Sequence, residues 1–314
     1  MLQEIGIRTA GDGAHIRKAL RDGFFLVRNP IPASLLDEAY GLLETFFRLG
    51  ADEKAGCRVP GSNGQSGYTP PLIETAERSK APDWKELFHW GRELPAAHPL
   101  AERFPSRYPR PYMPDRLVPG VGAALTELHA RMLEFQLDVV AAIAHALGAH
   151  PGYFAEMLED GPVVNRATWY PPMEQAPSPD HLWAVEHQDF DLITALPRAT
   201  ASGLQVLKDE EWLSIDVPDD YAVVNVGMVL ERLTNGLARA AMHRVAASPG
   251  QTGGRLSIVQ FCHPAPSTVL TPLRIPGEED EPLRFPTLTA DDLFRRTMYR
   301  INRLESGGGQ SEKP

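Results

Sequence analysis

His187-Gln188-Asp189 sets an imidazole and a carboxylate two residues apart, and a second imidazole, His243, follows much later in the chain. Residues two apart on an extended strand face the same way, so His187 and Asp189 are expected to converge on one ion. His243 falls in a separate short run, 239–245 (RAAMHRV), and is positioned to supply a third ligand from another strand. Two imidazoles and one carboxylate on one face of an octahedral ion leave three positions open, the arrangement of a non-haem Fe(II) oxygenase. A bidentate 2-oxo acid takes two of those positions and dioxygen (O2) the third. An H-x-D tripeptide also occurs in many chains that bind no metal, so a second feature is needed. Arg255-Leu256-Ser257 provides one, because Arg255 and Ser257 share a strand face and offer a guanidinium fork and a hydroxyl to a carboxylate. Arg255 has two readings, an ordinary surface ion pair or a half-buried cation. Its place among Leu256, Ile258 and Phe261 favours the second, and a buried arginine requires an anionic partner.

The elements that must hold these residues fall into two halves. Residues 13–50 read as helix, short apolar strand (Phe24, Phe25, Leu26, Val27) and second helix, with Ser34 as its N-cap. From 50 to about 82 the chain is rich in Gly, Pro, Ser and Asn and reads as a long functional loop. Residues 117–148 form the clearest helix, a scaffold with apolar residues spaced by three and four. After Pro162 come short apolar or alternating runs at 163–170, 192–196, 203–207, 221–226, 239–245 and 255–263. Helices first and strands later predict an α+β fold with a mainly β core, a double-stranded β-helix (jelly roll) with flanking N-terminal helices. The expected divisions are 1–115, an N-terminal helical or mixed region; 116–303, the scaffold helix and jelly-roll catalytic core; and 304–314, a disordered tail.

Composition narrows the partners. A net charge of -10 argues against nucleic acid or an anionic membrane surface, which need clustered Lys and Arg. A small-molecule substrate is the better expectation. Two cysteines, Cys57 and Cys262, suggest neither a disulfide framework nor a thiolate metal site. The start MLQEIGIRTAGDG lacks the pattern of a secretory signal, and no window approaches the roughly 18–20 apolar residues of a membrane span, so a cytoplasmic location is expected. Oligomeric state is left open.

Together HQDFDLITAL (187–196), GLQVL (203–207), VVNVGMVLERLTNG (223–236), MHRV (242–245) and RLSIVQF (255–261) resemble the isopenicillin N synthase-like family of 2-oxoglutarate/Fe(II)-dependent dioxygenases. GFFLV (23–27), Phe46-Phe47, Gly67-Tyr68 and DWKELF (83–88) resemble that family's N-terminal region, so the likeness spans about residues 15–300. The resemblance implies His187, Asp189 and His243 as iron ligands, and Arg255 and Ser257 on the distal carboxylate of 2-oxoglutarate. It adds Tyr170, an aromatic hydroxyl near the same co-substrate, within Thr168-Trp169-Tyr170-Pro171. Thr168 stands where the family usually has Asn, Asp191 where it has Gly and Met228 where it has Asp. The first departure touches a secondary co-substrate hydrogen bond, and the other two concern turns. Asp189 argues against a halogenase, which has a small residue at that position.

The implied reaction is oxidation of an unactivated C–H bond of a small molecule by hydroxylation, desaturation or cyclisation, with 2-oxoglutarate converted to succinate and carbon dioxide. The Ala, Arg, Gly and Pro bias points to a GC-rich bacterial genome and, by association, to secondary metabolism. The alternative is an oxidase of the same fold that does not use 2-oxoglutarate, since relatives of that kind share the Arg-x-Ser pair. An inert binding protein is disfavoured by the intact ligand set, and a zinc hydrolase by the want of a separately placed general base. For the substrate, Arg166 shares a face with Thr168 and Tyr170 and meets either a substrate carboxylate or a structural ion pair. Tyr68 is a pocket residue or a loop anchor. Phe190 faces away from the ligands on a regular strand, which makes it core, or else lines the pocket. His181 and Trp183 belong to the entrance or to a surface loop.

Overall fold

A computed structural model describes residues 2–7, 13–75, 81–95, 97–178, 180–278 and 280–300. The chain begins with β1 (Gln3–Glu4), α1 (Gly13–Asp22), β2 (Phe24–Arg28), α2 (Ala33–Phe47), α3 (Ala51–Ala55), β3 (Gly67–Thr69), β4 (Glu86–Gly91) and α4 (Pro99–Arg103). Two scaffold helices follow, α5 (Val121–Ala146) and α6 (Tyr153–Leu158). The strand-rich remainder runs β5 (Val163–Tyr170), β6 (Ala184–His187), β7 (Ile193–Ala199), β8 (Leu204–Lys208), β9 (Glu211–Ile215), β10 (Tyr221–Val226), α7 (Met228–Leu233), β11 (His243–Val245), β12 (Arg255–Cys262) and α8 (Ala290–Arg300). The expected tail at 304–314 lies outside the described residues.

An eight-stranded sheet, in the order β1-β2-β10-β7-β12-β5-β4-β3, and a four-stranded sheet, β6-β11-β8-β9, make the jelly roll. The larger sheet takes β1 to β4 from before residue 116 and its remaining strands from after it, so the helical and strand-rich halves share one sheet. α5 explains how that sheet is backed. Its Leu125, Leu128, Met132, Phe135, Val139, Val140 and Ile143 are all buried, at spacings that follow the helical period. α1 and α2 pack on it. Gly148, at φ +78, takes the left-handed conformation that ends the helix. Truncating one of these buried Leu or Met side chains to Ala costs about 2–5 kcal/mol. Between α5 and the sheet, Gln136, His129, Asn165 and Gln260 join in one buried hydrogen-bond network that pairs polar groups the packing would otherwise strand.

The structure departs from expectation in several places. α2 begins at Ala33 with Pro32 as its N-cap, so Ser34 lies inside the helix and its hydroxyl caps nothing. The stretch read as a long loop contains α3 and β3, and β4 follows it directly; ELFHWG is buried on both faces, so no alternation marks it as a strand. β9 was not expected, since its burial is slight. The run 239–245 is strand only from His243. β6 ends at His187, so Asp189 does not lie on a strand with it.

Candidate metal and co-substrate site

Register brings the two imidazoles together. β11 pairs antiparallel with β6, and His243 sits directly opposite His187, with ring centroids 4.3 Å apart. Each ring is turned by the same device, its Nδ1 lying on the carbonyl two residues earlier: Val185 O at 2.8 Å for His187, Ala241 O at 3.0 Å for His243. An Nδ1–H donated to a carbonyl leaves the Nε2 lone pair for a metal. Asp189 reaches the same point from an irregular segment rather than from the shared strand face the spacing suggested. Its carbonyl accepts from Met228 N at 2.8 Å, and its Oδ2 lies 3.8 Å from His243 Nε2. One ligand atom from each of the three residues lies within 4.8 Å of the others.

The donor set fits a divalent ion. Burial, and then the neighbouring His243, lower the His187 pKa to about 3, so this imidazole is neutral, the form that ligates. Burial alone would raise the Asp189 carboxyl, but the two histidines and Thr194 outweigh it and hold the group below its usual range. Thr194 Oγ1 is 2.6 Å from Asp189 Oδ2 and 3.0 Å from Asp191 Oδ2. Burial, then the Asp189 charge, push Asp191 well above the usual carboxylate range. The Thr194 hydroxyl thus lies between the two carboxylates and links Asp191 to Asp189. Asp191, the departure at a position where the family usually has Gly, is therefore linked through Thr194 to the candidate ligand Asp189 and is not only a turn residue. Gly227 makes room for it, since a Cβ there would fall 2.1 Å from Asp191 O and 2.3 Å from its Oδ1.

Facing the triad from the larger sheet is a cavity of about 60 Å³ lined by Thr168, Tyr170, Asn225, Arg255 and Ser257. The β12–β5 register places Arg255 opposite Tyr170 and Ser257 opposite Thr168. Arg255, only 2% exposed, donates from Nε to Ala201 O and from Nη1 to Ser257 Oγ, both at 3.0 Å, and its guanidinium lies 5.2 Å from the centre of the Tyr170 ring. None of these partners is a carboxylate, and among the described residues no ion pair includes Arg255. Burial lowers its pKa, the signature of a cation short of an anion. A carboxylate entering this chamber would supply the missing charge. Asn225, the single polar residue in the apolar run of β10, also lines the chamber, and that interruption was the available sequence signal.

A second cavity, of about 90 Å³, opens on the other side of His187 and Asp189. Lys85, Arg166, His187, Asp189 and Phe261 line both chambers. Arg166 donates from Nε to His89 Nε2 at 2.7 Å, approaches Glu74 at 3.7 Å and lies over the Phe261 ring, so it has the ion pair and also faces the cavity. Phe190 lines this chamber, because the chain around it is irregular and the strand alternation does not apply. Tyr68 is brought to neither chamber. Its hydroxyl is fixed on Glu86 Oε2 at 2.6 Å, beside the ion pair of Glu86 with Lys54, and it acts as a loop anchor. Trp183 is buried against Tyr170 and donates to Pro171 O, while His181 is tied to Pro82 O. Lys85, His89, Glu74 and His263 were missed, because no local spacing connects them to the triad.

Comparison with known proteins agrees with this geometry. Residues 12–113 match the family model described as non-haem dioxygenase in morphine synthesis N-terminal, and residues 159–264 match the 2OG-Fe(II) oxygenase superfamily. The 2-oxoglutarate-dependent dioxygenase tropC of Talaromyces stipitatus is 32% identical over 243 residues, 71% of each chain. Gibberellin 20 oxidase 2 of Oryza sativa subsp. japonica is 29% identical over 95% of this chain and 76% of its own. A crystal structure of a 2OG-Fe(II) oxygenase family protein from Caulobacter crescentus superposes with a TM-score of 0.81 at 28% identity, covering 96% of this chain and 99% of that one. The chain belongs to the 2-oxoglutarate/Fe(II)-dependent oxygenase family, in its isopenicillin N synthase-like branch, and is a non-haem oxygenase that uses Fe(II), 2-oxoglutarate and dioxygen.

Proposed function

We propose that His187, Asp189 and His243 hold the iron, that Arg255 and Ser257 take the distal carboxylate of 2-oxoglutarate with Tyr170 and Thr168 beside it, and that the second chamber receives a small-molecule substrate for C–H oxidation. The observation that carries this reading is the buried Arg255, a cation whose partners are all neutral. When bound, iron and 2-oxoglutarate supply the oxidising chemistry, with succinate and carbon dioxide as co-products.

The chain's own residues do the positioning. Arg255 and Ser257 fix one end of the co-substrate, and the Nδ1 bonds of both histidines fix the ligand rings. Burial on both sheets keeps water from the reacting atoms. Residues before 116 contribute Glu74, Asp83, Lys85 and His89 to the second chamber, and residues after it contribute every proposed ligand. That is the division of labour we assign to the two regions. Arg166 is the residue we assign to an acidic group of the substrate, since only its Nε is committed to a hydrogen bond among the described residues. No described helix is long and apolar enough to cross a membrane, and both cysteines are free and buried, in keeping with a reducing compartment such as the cytoplasm.

The test is succinate release with candidate substrates, in wild type and in Arg255→Met. Oxygen uptake coupled to succinate in wild type, with a raised 2-oxoglutarate requirement in the variant, is expected. Oxygen uptake without succinate would favour the oxidase that does not use 2-oxoglutarate.

A further inference from the structure

Among the ionisable side chains lining the second chamber, one imidazole has no hydrogen bond within the described residues. His263 is 4% exposed and lines the cavity, yet no hydrogen bond reaches either ring nitrogen among the described residues. A buried imidazole without a partner carries a desolvation cost that a ligand can relieve. Of the other histidines lining this chamber, His89 already accepts from Arg166 and His187 is held at Nδ1 by Val185 O.

The rings around His263 indicate what shape of ligand reaches it. Phe190 lies 5.2 Å from the imidazole at an interplanar angle of 30°, and Phe261 lies 6.5 Å away at 34°. The three form a continuous, gently tilted aromatic wall. Flat conjugated molecules stack on such a wall, whereas a puckered ring of the same size meets it edge-on and loses contact. Arg166, over the face of Phe261, places a cation at one end of the wall, with its Nη groups beyond hydrogen-bond distance of Glu74. Lys85 offers no such opening, because Asp83 and Glu74 hold it at 2.7 and 2.9 Å.

We propose that His263 is a specificity-determining residue, its imidazole taking a hydroxyl or carbonyl group of a flat, conjugated acid that lies against Phe190 and Phe261 with its carboxylate toward Arg166. This rests on the reading of the second chamber as the substrate site. It adds the chemical class of the substrate and the residue that discriminates within that class.

The experiment uses full-length enzyme loaded anaerobically with Fe(II) and 2-oxoglutarate. Three probes are titrated, 4-hydroxybenzoate, 4-hydroxycinnamate and 5-hydroxyindole-3-acetate, each beside its deoxy counterpart and its ring-saturated counterpart. Binding is read from calorimetry and from the change each probe makes in the visible charge-transfer band. At least one flat hydroxy-acid is expected to bind about tenfold more tightly than its deoxy and ring-saturated partners. His263→Phe is expected to bind the hydroxy-acid and the deoxy acid equally, and His263→Gln to restore part of the preference for the hydroxyl. Unchanged melting temperature and an intact band before probe addition establish that each variant is folded and loaded. Equal binding of flat and saturated acids, hydroxyl discrimination that survives His263→Phe, or no binding of any probe to loaded wild type would each overturn the proposal. Failure of wild type to form the band at all would instead overturn the site assignment on which it rests.

Discussion

Beside the triad, the guanidinium of Arg255 is buried among a carbonyl and a hydroxyl, whereas the ammonium of Lys85 is gripped by Asp83 and Glu74. Burial lowers Arg255 from its ordinary pKa, whereas the two carboxylates outweigh the burial of Lys85 and raise it. The same physical problem, a cation out of water, has two solutions a few residues apart in space. Lys85 is complete within the protein and therefore structural. Arg255 is incomplete, and the completion we propose for it is the carboxylate of 2-oxoglutarate.

The sharpest way to break this comparison is to remove what both chambers share. Asp189→Ala takes the only carboxylate from the ligand set, and since loss of an outer partner alone costs about 10–100-fold in metal affinity, the fall in iron binding should exceed about 100-fold. Equilibrium dialysis with Fe(II) checks it. Next comes Lys85→Met, which leaves Asp83 and Glu74 buried beside each other without their cation and should destabilise the fold by about 3–5 kcal/mol. Chemical denaturation would show a lowered midpoint.

Arg255→Met should do the converse. Losing a charge-assisted partner costs about 2–5 kcal/mol of binding, so the 2-oxoglutarate dissociation constant should rise by well over tenfold while the melting temperature holds or increases. A large loss of stability would make Arg255 a structural cation like Lys85. The smallest effect is expected from Thr194→Val, which keeps the shape and removes the hydroxyl between Asp191 and Asp189. Iron affinity should fall by about 10–100-fold, with 2-oxoglutarate binding to the iron-loaded form unaffected.

Legibility in the sequence follows the same line. The Arg255 chamber is built from β12 and β5, where strand alternation and register carry most of the geometry, so Arg255, Ser257, Thr168 and Tyr170 were readable from their spacing and family pattern. The pair His187 and His243 was readable as residue types, although their direct cross-strand pairing needed the register of β6 and β11. Asp189 was identified through a strand face it does not occupy. The second chamber was mostly hidden, because Glu74, Lys85, His89 and His263 come from a loop, β4 and the residue after β12, joined only by long-range pairing. β4 itself escaped notice because a strand covered on both faces has no periodic signature. Phe190 was read against a regular strand, and the break at His187 reversed its direction. Asp191 looked like a turn substitution until its depth and its link to Asp189 through Thr194 were visible.

The most direct test of the central assignment is anaerobic titration of the chain with Fe(II) and 2-oxoglutarate, followed in the visible spectrum. A weak charge-transfer band that saturates at one equivalent of each, disappears in Asp189→Ala and requires far more 2-oxoglutarate in Arg255→Met is the expected result. A band that persists without Asp189, or one indifferent to Arg255, would contradict the assignment of these residues to the iron and its co-substrate.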